Sequence, residues 1–557
     1  MLVLVASLVA AVALLAQPVS AALSGTGGLR IGIAHELQLH PRIAAVAALL
    51  VVWSSAWGVY SGVTGAGRLN NNLASIGAPG SSVPGYSPDN GSTSTAAPGT
   101  SGSASGGASV SGGGGGGTIN GAPVGAAAFQ GANTPAVPSA NYYSGQDNTV
   151  GITNTTIQMC AHAALTFGPA FNIGPGDLNV FWQMVDDPSL DPYAHTSGQA
   201  GIYNRQIVEP GGSPGIPIQD DGYQPSKAVQ AATACQQQSG GDFFLLSGIG
   251  FDQIPAVRNW AEQNHMLYIH HIATAQGTGG LQFSFTMLPT LEQVGTQFGQ
   301  YYTHHMNGQK IAIIERNSSN WAPGVRTFKS VLAAAGESGN ITTDDSVTNN
   351  QGDYSKEIAD FCVQHQSQAV FIWENALAAD QIIQQTNQQT GGQCKPNWLL
   401  FPFNLTLQTL NQSGVDTSTM QGMVPWPAYT CASQRPSNYF AGNSAYQQEV
   451  AQFEAMYAKF DSGANLCGFG GDLLFGTWEA WKQVADLLVQ CGPSCTRNNI
   501  AGLMLSGYKA TVGSNCPVDF SAGDHHHGGT GEDLYLTEPG GNGRIWYNTG
   551  FCEVNVT

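Results

Sequence analysis

A chain of 557 residues has room for two or three domains, but only about the last 400 have the composition of globular protein. Charged residues make up 10% of the chain and the formal net charge is −18, which argues against nucleic acid or an anionic membrane surface as the partner. Neither a Walker loop nor an HExxH run occurs, so nothing positive points to catalysis and the chain reads as a non-enzyme.

The chain opens on an apolar stretch, residues 1–22, with the length of a signal h-region or a short membrane span. It ends in small residues suited to cleavage but lacks a basic n-region, so a signal peptide, a first span and a misplaced start all stay open. Residues 43–63 carry no charge, follow Arg30 and Arg42, and gather Trp53, Trp57 and Tyr60 toward their far end. That pattern predicts a transmembrane anchor with the arginine side cytoplasmic and the remainder exported, an extracytoplasmic domain held at the cell membrane. Residues 64–150, with six consecutive glycines and almost no charge, read as a disordered Gly/Ser-rich linker. Its roughly 80 residues would reach about 50 Å.

All ten cysteines follow the polyglycine run: Cys160, Cys235, Cys362, Cys394, Cys431, Cys467, Cys491, Cys495, Cys516 and Cys552. Their even number and the absence of paired CxxC motifs predict up to five disulfides in an oxidising compartment. Pairing in sequence order gives 160–235, 362–394, 431–467, 491–495 and 516–552, each contributing roughly 2–4 kcal/mol.

From 151 onward strands and helices alternate. "TIQMCAHAAL", "GIPIQDD", "DFFLLSG" and "MLYIHHIA" read as strands, with helices at "LNVFWQMVDD", "PSKAVQAATACQQQ" and "IPAVRNWAEQN" between them. A second series starts at 310 with "KIAIIER", "AVFIWE" and "NWLLFPF", separated by "APGVRTFKSVLAAAG" and "ALAADQIIQQTNQQ". Such alternation predicts an α/β protein of two doubly wound parallel-sheet lobes. Asp220 and Asp221 end a strand, where neighbouring side chains point apart, so they cannot converge on one reacting atom. They are expected to satisfy turn amides, with Pro225 opening the next helix. His270 and His271 likewise face opposite sides of a strand, His304 and His305 diverge on a helix, and the histidines of "DHHHGGTGED" read as solvated loop residues. No metal or cofactor is expected.

"GIYNRQI" (201–207) and "DDGYQPSKAVQAA" (220–232), followed in order by "IATA" (272–275) and the stretch 310–336, resemble type I solute-binding proteins of the branched-chain amino acid class. The resemblance spans roughly 150 to 557. It implies a Venus-flytrap fold in which three hinge crossings, near 287, 424 and 514, join lobe 1 (about 151–287 and 425–514) to lobe 2 (about 288–424 and 515–557). It further implies a monomeric binding domain that captures a small organic ligand by lobe closure and delivers it to an ABC permease. A ligand-sensing receptor module of the same fold is the alternative.

In doubly wound sheets, ligands sit at the carboxyl ends of the strands. The candidate binding residues there are Phe251, Asp252, Ala273, Thr274, Trp321, Trp373, Asn375 and Phe403. Thr274 carries over from the resemblance, through "IATA". The family's cleft serine falls instead near Phe251–Asp252, and its ammonium-binding acid near Phe403. With both replaced, the expected ligand is more apolar than a free amino acid, against aromatic surface. Trp321 and Trp373 also admit a reading as lobe-core packing, and Asp252 as a helix cap.

Overall fold

The computed structural model describes residues 118–119, 122–123, 137–166, 173–193, 198–271, 281–348, 351–401, 420–424, 429–435, 443–468, 470–513, 516–521, 523–537 and 546–553. The chain divides into two units, Met1–Gly77 and Ala78–Thr557, and every described residue belongs to the second. The predicted membrane segments 1–22 and 43–63 and most of the predicted linker lie outside the described residues. Among the described residues no helix is long and apolar enough to cross a membrane.

Two separate sheets dominate the second unit. The first contains β1 (Cys160–Ala163), β2 (Ile218–Asp220), β3 (Leu245–Ser247), β4 (Tyr268–His270) and β5 (Ser284–Thr286). Their order is β2-β1-β3-β4-β5 and every pairing is parallel. Residues of β3 and β4 are all buried, which is why their sequences are continuous apolar runs rather than alternating ones. The helices α1 (Val180–Val185), α2 (Pro225–Gln236) and α3 (Ile254–Asn264) belong to this lobe. As expected, α2 opens on Pro225.

The second sheet contains β6 (Ile311–Arg316), β7 (Ile341–Val347), β8 (Ala369–Trp373), β9 (Asn397–Phe401), β10 (Met420–Val424), β11 (Glu532–Thr537) and β12 (Trp546–Glu553). The order is β7-β6-β8-β9-β10-β11-β12. Pairing is parallel as far as β10, and then β11 and β12 add an antiparallel edge. Helix α4 (Leu291–His305) leads into β6, while α5 (Ala322–Ala334) joins β6 to β7 and α6 (Ala376–Thr390) joins β8 to β9. A capping box, Thr290 with Gln293, starts α4 just after the chain leaves the first sheet.

After β10 the chain returns to the first lobe through α7 (Ser444–Phe460), α8 (Gly470–Cys491) and α9 (Arg497–Leu505). Trp481 on α8 donates its indole N–H to Leu178 O at 2.9 Å, and Trp478 meets Phe181 edge-on at 5.2 Å. The last passage comes later in the chain than the expected 514. Phe285 stacks on His526 at 4.4 Å, and Thr286 forms a parallel bridge with His527. Residues 526–528 therefore run beside β5, and the chain enters the second sheet at Glu532. The domain also begins earlier than 151. The Tyr142 and Tyr143 amides both donate to Asn498 Oδ1 at 2.9 Å, and the Arg497 guanidinium lies over the Tyr143 ring.

The "GIYNR" stretch is a tight turn. Tyr203 and Asn204 take left-handed φ of 53° and 60°, and Gly201 (φ 85°) approaches Arg205 so closely that a Cβ would lie 2.0 Å from its carbonyl oxygen. Arg205 is buried and donates to Thr153 O at 2.8 Å and Pro493 O at 2.9 Å. The signature thus anchors backbone. Five disulfides join Cys160 to Cys235, Cys362 to Cys394, Cys431 to Cys467, Cys491 to Cys495 and Cys516 to Cys552, the pairs that sequence order gives.

Candidate functional site

The adjacent carboxylates at the end of β2 are spent on structure. Asp220 accepts from the Leu165, Thr166 and Gly222 amides at 2.9–3.2 Å and from the Thr166 hydroxyl at 2.5 Å. Asp221 is fully buried, accepts from the Tyr223 amide and the Gln253 side chain, and pairs with His162 Nδ1 at 2.8 Å. His162 Nε2 meets the Tyr268 hydroxyl at 2.8 Å. This Asp–His–Tyr chain lies inside the first lobe, its three side chains almost wholly buried.

The carboxyl ends of the strands bring a second cluster together, drawn from both lobes. Asp252 follows β3; Arg316 is the last residue of β6; Glu374 follows β8. Asp252 Oδ2 lies 2.6 Å from Arg316 Nη2, and Arg316 Nη1 lies 3.3 Å from Glu374 Oε1. The Trp321 indole N–H donates to Asp252 Oδ1 at 2.9 Å, and the Arg316 guanidinium stands over the Trp321 ring at 5.3 Å. Asp252 is therefore not a helix cap: α3 has no side-chain cap, and its carboxylate crosses to the other lobe instead.

Around these charges the aromatic residues form one block. Trp373 stacks on Phe401 at 4.6 Å and donates its indole N–H to Trp321 O at 2.9 Å. Phe251 reaches across to Trp321 at 5.4 Å and to Phe401 at 5.9 Å. Trp321 and Trp373 are both fully buried in this block. Asn375 is taken up as the cap of α6, its Oδ1 accepting from the Leu377 and Ala378 amides at 3.0 Å. Ala273, Thr274 and Phe403 lie outside the described residues.

Burial sets the protonation chemistry. Glu374 is fully buried, and desolvation pushes its pKa up to about 7 against the opposing Arg316 charge and the Asn375 amide. Burial alone would lower Arg316, but Asp252 and Glu374 hold it above its ordinary value. Tyr223, on the turn after β2, is raised well above the usual phenol range by burial and by the Asp252 carboxylate. His271, at the end of β4, is driven down to about 3 by burial alone and so stays neutral, with no hydrogen-bond partner at either ring nitrogen.

Arg316, Glu374, Tyr223 and Phe401 were missed in the sequence. A usable signal existed for two of them. "IAIIER" and "AVFIWE" each end an apolar parallel strand on a charge, and a charge at that edge faces the crevice.

Two doubly wound lobes whose strand ends meet across a polar, aromatic-walled boundary define a two-lobed ligand-binding protein. A family model described as periplasmic binding protein matches residues 211–539, more than half of the chain, and the chain belongs to that family. The family is a ligand-binding one rather than an enzymatic one. Solved structures share the fold at low identity. One is a possible leucine/isoleucine/valine-binding protein from Rhodopirellula baltica SH 1, 14% identical, with a TM-score of 0.51 over 71% of this chain and 98% of that one. A fatty acid ABC transporter substrate-binding protein from Thermomonospora curvata is 13% identical, with a TM-score of 0.53 over 72% and 93%. A solute-binding protein from Rhodopseudomonas palustris BisB5, in complex with 3,4-dihydroxybenzoic acid, is 14% identical, with a TM-score of 0.50 over 68% and 92%. Comparison with curated proteins finds no match.

Proposed function

We propose that this chain is an extracytoplasmic solute-binding protein that captures a small organic ligand by lobe closure and presents the closed form to an ABC-type importer. The observation that carries the reading is the meeting of the two lobes at their strand ends, where Asp252 of one lobe reaches Arg316 and Trp321 of the other. A ligand held between such lobes shifts an open–closed equilibrium by its differential affinity, and a membrane permease reads the result. The apolar segment 43–63 serves as the anchor and the Gly-rich stretch as the tether. The aromatic block favours a ligand more apolar than a free amino acid, and the fatty acid and dihydroxybenzoic acid named for two similar structures fit that preference.

Isothermal calorimetry of the full chain against free amino acids, fatty acids and aromatic acids tests this. Binding of an apolar or aromatic solute with 1:1 stoichiometry is expected. Sub-micromolar binding of leucine would overturn the ligand preference, and no binding by any solute class would overturn the function.

A further inference from the structure

The Asp252 carboxylate is held by two donors of the other lobe, the Arg316 guanidinium and the Trp321 indole N–H, and by the Tyr223 side chain of its own lobe. Both donors are fixed from behind. Arg316 closes β6 and is braced by Glu374, whose Oε1 accepts from the Asn375 amide at 2.8 Å and its side-chain nitrogen at 2.7 Å. Trp321 is fixed because its carbonyl accepts the Trp373 indole N–H. Asp252 sits differently. It lies on a loop of the first lobe, and its side chain is 13% exposed against 5% for Arg316 and 0% for Glu374.

We infer that Arg316 and Trp321 form a carboxylate receptor on the second lobe, that Asp252 is its built-in occupant, and that the ligand is an apolar or aromatic carboxylic acid whose carboxylate takes the place of Asp252. This rests on the solute-binding reading above.

A buried guanidinium demands a carboxylate partner, and leaving it unpaired is costly. Glu374 remains with Arg316 when the lobes part, because both are on the second lobe. Asp252 departs with the first. The exchange is neutral in charge, one carboxylate for another, and the planar fork of the guanidinium suits either. Beside the receptor, Trp373 and Phe401 of the second lobe and Phe251 of the first offer apolar walls for the body of the acid. A cationic solute gains nothing from these donors, and an uncharged one gains hydrogen bonds without the ion pair. A free amino acid brings an ammonium to a receptor already centred on a cation.

Competition from a tethered group lowers apparent affinity by the fraction of receptor it occupies. Replacing Asp252 with Asn keeps size and an acceptor for Trp321 but removes the charge that Arg316 holds. Calorimetry on the full chain, parent and Asp252→Asn, with phenylacetate and decanoate and with their primary amides, reads the effect. The expected result is a gain of about tenfold or more for the acids in the variant, with the amides unchanged. Adding Trp321→Phe should then take back part of that gain. Asp252→Ala serves where the Asn variant fails to fold, and thermal unfolding checks each protein.

Equal or weaker acid binding in both Asp252 variants overturns the inference, as does equal gain for acids and amides. Tight binding of an amine or neutral solute, unaffected by Asp252→Asn, would overturn it while leaving the solute-binding function standing. No binding of any solute by parent or variant would overturn both.

Discussion

Glu374 is the buried group whose titration should be visible in the stability of the whole molecule. Its carboxyl has no contact with water, and burial raises its pKa from the usual 4.5 to about 7. The folded state therefore holds a proton that the unfolded chain releases. The stability from this group is fully present below pH 4.5, declines as the pH rises toward 7 and is gone above it, a span worth about 3 kcal/mol. Glu374→Gln keeps the acceptor for Asn375 and cannot ionise. Chemical denaturation between pH 4.5 and 7.5 should show a flatter decline in the variant, by up to about one proton. An unchanged slope would mean that Arg316 already keeps Glu374 ionised throughout that range. His271 works in the opposite sense. Its pKa is lowered to about 3 by burial, so the stability it contributes is present above pH 6.5 and is lost as the pH falls toward 3.

At the scale of elements, α4 and α5 of the second lobe pack in close contact. A Cβ on Gly295 would lie 1.9 Å from Gly324 O, and one on Gly324 would lie 2.2 Å from the Trp373 ring. The two helices thus touch backbone to backbone and seat Trp373 behind the receptor. Gly295→Ala should force them apart at a cost of about 1–3 kcal/mol, whereas Gly339→Ala, with nothing within 4 Å, should change stability by less than about 0.5 kcal/mol. Thermal midpoints of the two variants compare directly, and equal shifts would refute the close approach. Elements of this kind were largely legible in the sequence. Continuous apolar runs marked β3, β6 and β8, and Pro225 marked the start of α2, because both signals act within a few residues. The last passage between lobes was not legible. It depends on Phe285 stacking on His526 and on Phe520 meeting Phe285 at 6.3 Å, contacts more than 200 positions apart in the chain. The site was half legible for the same reason. Phe251, Asp252, Trp321 and Trp373 follow from their places at strand ends, but only the approach of the lobes reveals that Asp252 is shared with Arg316, and only the start of α6 reveals that Asn375 is spent as a cap.

At the scale of the molecule, the disulfides cross-link very different lengths of chain. Cys160–Cys235 spans 75 residues and Cys491–Cys495 spans 4, while all four sulfurs are similarly buried. Paired replacement by alanine removes comparable packing from each, so the difference reflects chain entropy. Loss of the long bridge should cost roughly 4 kcal/mol and loss of the short one roughly 2 kcal/mol, and calorimetric unfolding of the two double variants should rank them in that order. The reverse ranking would show that the short bridge fixes local structure that loop length does not describe. A last consequence follows from the hydrogen bond between Trp321 and Asp252. When the halves swing apart, that indole exchanges a protein acceptor and a dry surrounding for solvent, and its emission moves to longer wavelength and loses intensity. The protein thus contains a native optical gauge of its own opening, one that Trp321→Phe would silence.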